Sequence, residues 1–111
     1  MPWTLDNALE DDLITVVDRD DSAGFYEVRV GDLNIVVAIK LSRHLDSDTT
    51  DFQLSHAINT PVQAGPYRTS TPTADDPPYA LHRAIDGLTS YYRDAVKLGH
   101  TPQENWLVPN A

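Results

Sequence analysis

The sequence predicts an α+β fold: a four-stranded antiparallel β-meander with one long C-terminal α-helix packed across one face. Three observations carry that expectation. Side chains alternate in character over residues 25–31, 33–42 and 51–59; the connections between the early runs contain a turn glycine; and one apolar stripe at helical spacing runs from Leu81 to Val96. Period-two runs joined by short turns pair as antiparallel neighbours. At 111 residues the chain reads as a single domain, 1–111, long enough to bury a core without metal or disulfide staples.

Taken in order, residues 2–11 predict a short helical turn, with Thr4 as N-cap and Leu5 and Leu9 four apart on one side. The β-branched run from Leu13 to Asp18 predicts the first strand, which ends at the polar stretch from Arg19 to Gly24. In the second, Tyr26, Val28 and Val30 share a face opposite Phe25, Glu27 and Arg29. Gly31-Asp32 turns the chain into the third, where Leu33, Ile35, Val37, Ile39 and Leu41 share the buried side. A polar loop, 43–50, leads to the fourth, where Phe52, Leu54, His56 and Ile58 alternate with Gln53, Ser55, Ala57 and Asn59.

Residues 60–78 carry five prolines and many hydroxyl side chains, a composition that resists both helix and central strand, so a long loop with at most an edge strand is expected. A helix over 79–98 follows. Asp75-Asp76 supplies the cap, Pro77-Pro78 fits a first turn, and Gly99 with Pro102 ends the run. Leu81, Ala84, Ile85, Leu88, Tyr92, Ala95 and Val96 form its apolar stripe, with His82, Arg83, Asp86, Ser90, Arg93, Asp94 and Lys97 opposite. In the tail, 100–111, Trp106-Leu107-Val108 is too apolar to fray and should dock, either on its own subunit or on a second copy as a homodimer contact.

The chemistry is sparse. Without cysteine there is no thiol nucleophile and no thiolate metal site, and no serine sits in a nucleophile turn. The five glycines never cluster as a phosphate cradle. The loop beginning His44-Leu45-Asp46-Ser47-Asp48 starts like a calcium loop. However, Asp51 stands where glycine is needed and Ala57 where the bidentate glutamate is needed. His82 and Asp86, one turn apart, are a spacing that chance supplies often. No metal or cofactor is expected, and no motif resembles a known family.

With 17 acidic against 8 basic side chains the net charge is −9, which opposes binding to a nucleic-acid backbone and favours basic partners. Residues 1–59 hold 12 of the acids and only 4 bases, so the acidic face should belong to the N-terminal half. No apolar run reaches the roughly 20 residues of a membrane span, and Met1-Pro2-Trp3-Thr4 lacks the cationic and apolar regions of a secretory signal. The expectation is a cytoplasmic chain with no membrane or direct nucleic-acid partner.

The function read from these features is a non-catalytic interaction module of inhibitor, antitoxin or immunity type that masks a basic surface of another protein. Asp18, Asp20, Asp21, Asp46 and Asp48 would steer the partner, and Trp3 or Trp106 would supply an exposed apolar anchor. Two alternatives stand beside it. One is a small-ligand domain or enzyme whose pocket lies between sheet, helix and the 60–78 loop, with His56, Tyr67 and Tyr91 as polar contacts. The other is a structural homodimer subunit.

Overall fold

The computed structural model describes residues 3–43, 46 and 48–110. Along the chain run α1 (Leu5–Leu9), β1 (Ile14–Asp20), β2 (Phe25–Val30), β3 (Val37–Arg43), β4 (Thr50–Leu54), β5 (His56–Ile58), β6 (Thr73–Ala74), α2 (Pro77–Lys97), a 3₁₀ turn (Glu104–Trp106) and β7 (Leu107–Pro109). The first four strands form the expected antiparallel meander, β6 adds a short fifth strand beside β4, and β5 pairs with β7 in a separate sheet.

Helix α2 begins where the chain chemistry dictates. The Asp76 carboxylate accepts the Tyr79 N–H at 2.9 Å, and the two prolines occupy the first turn, where no intrahelical donor is required. It ends in a Schellman closure, with the His100 N–H donating to the Ala95 carbonyl and the N–H of Gly99, at φ 92°, donating to that of Val96. Its buried stripe is Ala80, Leu81, Ala84, Ile85, Leu88, Thr89, Tyr92 and Ala95, whereas Val96 is exposed. This stripe joins Tyr26, Val28 and Val30 of β2, Val37, Ile39 and Leu41 of β3 and Phe52 of β4 in one apolar core. In α1 the Thr4 hydroxyl accepts the Asn7 N–H, as the sequence predicts, and the short helix packs on α2.

Three departures from the expected elements have local causes. β3 starts at Val37 rather than Leu33, because Leu33 closes a turn onto the Val30 carbonyl and the Asn34 N–H is taken by the Glu104 carboxylate of the tail. The expected fourth strand divides at Ser55. There the Ala38 N–H donates to the Ser55 hydroxyl at 2.8 Å, a side chain replaces the next ladder acceptor, and the chain leaves β3 for the second sheet. β1 lies at an open edge with residues 15–20 exposed, so α2 does not cover the whole sheet. A bulge between Val16 and Asp18 and the charges that follow protect that edge from pairing.

Candidate functional site

One end of the molecule collects acidic side chains from three separate segments. The β1–β2 hairpin brings Asp18, Asp20 and Asp21, the β3–β4 loop brings Asp46 and Asp48, and the start of α2 brings Asp75 and Asp76. The register explains the gathering, since Arg43 pairs with Thr50 and Thr50 with Ala74 at the end of the sheet where the hairpin turns. Asp21 and Asp48 line one open groove of about 420 Å³, together with Leu5, Gly24, Leu41, Thr50 and Pro77. His44, Leu45 and Ser47 of the loop lie outside the described residues.

The five predicted aspartates are not equivalent. Asp20 is turned into its own hairpin, where its Oδ1 accepts from the Ser22 hydroxyl at 2.7 Å and from the Ser22 and Ala23 N–H groups. The Ser22 hydroxyl first, then the Ala23 N–H, hold its carboxyl below the ordinary 3.8. Asp21 is likewise held low, chiefly by its two hydrogen bonds from Arg19 at 2.8 and 3.0 Å, against partial desolvation and with help from the Tyr26 hydroxyl. Arg19 also reaches Asp6 at 2.7 Å, so it ties α1 to the hairpin, and these carboxylates raise its own pKa. Asp48 pairs with Arg43 at 2.9 Å in full solvent contact, where such pairs add little stability. Asp18 caps the Arg19 N–H, and Asp46 is exposed.

The hairpin network fixes a pH dependence. Both aspartates are lowered, so their contribution is complete above 3.8 and is lost as pH falls below it. Tyr26 moves the other way: desolvation first, then its hydrogen bond to Asp21, push its pKa from 10.0 to about 12, so its contribution is complete below 10 and is lost as pH rises toward 12. Urea midpoints measured across pH should therefore fall on both flanks, with the alkaline fall reduced in Tyr26→Phe. An alkaline limb identical in that variant would remove Tyr26 from this account.

The two predicted anchors divide. Trp3 is 38% exposed and stacks on His82 with ring centroids 3.7 Å apart, where it lines a separate concavity between α1 and α2 rather than the Asp21–Asp48 groove. Trp106 corrects the expectation of an exposed anchor. It is 3% exposed, packed edge-on against Tyr92 at 5.5 Å, because the tail folds back to pair β7 with β5.

A second concave site lies between α2, β4 and the 60–78 loop, where the ligand-binding alternative expects one. Its volume is about 210 Å³ and Tyr67 lines it. Tyr91 sits beside it, its ring 5.6 Å from that of Tyr67. His56 is not among its lining residues, and that expectation is corrected. The division at Ser55 carries His56 into the second sheet, where its Nδ1 and the Ser55 hydroxyl share a 2.7 Å hydrogen bond.

Sequence reasoning missed Arg68, Arg83 and Asn110 in this cleft. One signal was present. Gly87 in the middle of a long helix costs about 1 kcal/mol relative to alanine and so asks for a reason. The reason is the Tyr67 ring, whose Cε2 would lie 3.2 Å from a Cβ at position 87.

Among the described residues no three histidine or carboxylate side chains converge as a metal site, and no helix is long and apolar enough to cross a membrane. In comparisons with protein-family models, curated proteins and solved structures, nothing matches this chain.

Proposed function

We propose that the chain is a non-catalytic protein-interaction module, acting in the cytoplasm, whose acidic end covers a basic surface of a partner protein. The observation that carries this reading is the delivery of Asp18, Asp20, Asp21, Asp46, Asp48, Asp75 and Asp76 to one end from three segments distant in sequence, where Arg19 and Arg43 offset only part of the charge. A negative rim around a groove attracts cationic side chains and steers encounter, and the Asp21–Asp48 groove offers a place for one to insert. Trp3, exposed where it stacks on His82, supplies an apolar contact in place of the buried Trp106. The homodimer alternative loses its tail anchor for the same reason and retains open sheet edges such as β1.

The test is affinity capture from the native host, followed by association kinetics with the captured protein. Asp18→Lys, Asp46→Lys and Asp48→Lys combined leave the Asp20 and Asp21 hairpin bonds intact. They should slow association about ten-fold or more at low salt and flatten its salt dependence, with dissociation changed less. An association rate and salt slope equal to those of the unaltered chain would sink the proposal.

A further inference from the structure

We propose that the cleft between α2, β4 and the 60–78 loop binds a singly charged carboxylate carried on a compact apolar body such as one aromatic ring. The argument begins with how the arginines are held. Arg19, Arg43 and Arg93 are each paired with an aspartate, as expected in so acidic a chain. The two arginines of the cleft are held by neutral oxygens instead. Arg68 Nε donates to the Asn110 side-chain carbonyl at 2.7 Å, while the Asn110 amide donates to the Leu54 carbonyl at 3.0 Å and so clamps the assembly to β4. Arg83 donates to the Thr73 carbonyl and lies over the Phe52 ring, 5.4 Å from its centroid.

A guanidinium positioned by an amide or carbonyl keeps its full charge for an incoming anion, and its planar fork matches a carboxylate. Phe52, Leu54 and Ala84 give the cleft an apolar wall. Its volume of about 210 Å³ falls below that of a drug-sized ligand and suits one ring with one anionic group. Asp86 also lines the cleft, its carboxylate accepting from the Ser90 hydroxyl, so the two guanidiniums leave one net positive charge. That balance favours a monoanion and penalises a phosphate dianion. The inference is independent of the acidic end, whose groove shares none of the cleft's lining residues.

The experiment is an NMR titration of ¹⁵N-labelled protein with benzoate, benzyl alcohol, inorganic phosphate and a short peptide ending in a free phenylalanine carboxylate. Benzoate or the peptide should give saturable shifts at the amides of Leu54, Arg68, Ala84 and Gly87, and the tighter of the two tells a free acid from a chain terminus. Affinity should fall about ten-fold in Arg68→Ala and by less in Asn110→Ala, which frees the guanidinium from its clamp but keeps its charge. The Asp18, Asp46 and Asp48 lysine variant should bind benzoate unchanged. Equal binding of benzyl alcohol, tighter binding of phosphate, retention of full affinity in Arg68→Ala, or no saturation by either carboxylate up to about 10 mM would each overturn the proposal.

Discussion

Replacing Trp106 by alanine is expected to destabilise the fold by about 3–5 kcal/mol, the range for emptying a buried tryptophan site. The indole is 3% exposed and edge-on to Tyr92, so its removal leaves a cavity lined by α2 and the tail. Its backbone matters as well. The Trp106 carbonyl accepts the Asn59 N–H at 2.7 Å immediately before β7 pairs with β5, so loosening this residue loosens the second sheet. For a domain of this size the melting temperature should fall by roughly 4 °C per kcal/mol, and amides of Ala57 and Ile58 should lose hydrogen-exchange protection. A melting curve within a degree or two of the parent would mean that the tail adds nothing to the core.

The second large effect is expected at Gly31, where alanine meets two separate obstacles. The residue sits at φ 54°, a left-handed backbone that costs an L side chain about 1–2 kcal/mol. An added Cβ would also lie 2.1 Å from the Tyr92 hydroxyl oxygen and 2.3 Å from its ring carbon Cζ. Tyr92 cannot swing aside cheaply, because Trp106 packs against its ring and its hydroxyl accepts the Asp32 N–H at 3.2 Å. Overpacking adds about 1–3 kcal/mol and the lost hydrogen bond about 1 kcal/mol more. Gly99→Ala is the matched control, with φ 92° and no atom within 4 Å of the added Cβ, so it should show the conformational cost alone. Equal urea midpoints for the two variants would show that Tyr92 yields freely.

Helix α2 was legible because its cap, its prolines, its stripe and its terminal glycine all point to the same boundaries, and β2 because its alternation is unbroken. The division between β4 and β5 was not. Alternation of Phe52, Leu54, His56 and Ile58 continues through Ser55, and no periodicity records that a hydroxyl has replaced a main-chain acceptor for Ala38. The acidic end was legible as composition, but its partial neutralisation by Arg19 and Arg43 depends on hairpin and loop geometry that charge counting does not contain. In the cleft Tyr67 was found because the proline-rich segment had to close over something. Arg68, Arg83 and Asn110 come from three segments brought together only by the tertiary fold.

The bonds that tie the tail and helix to the sheet also constrain how the molecule assembles in time. Asp32 to Tyr92 spans 60 residues, Asn34 to Glu104 spans 70, Leu54 to Asn110 spans 56 and Asp11 to Arg93 spans 82. Each must close a large loop before its contact is rewarded, which places the rate-limiting barrier late and makes folding slow for so small a chain. The same threads favour cooperative unfolding, because the tail and α2 are bonded directly to the segments of the main sheet that they cover.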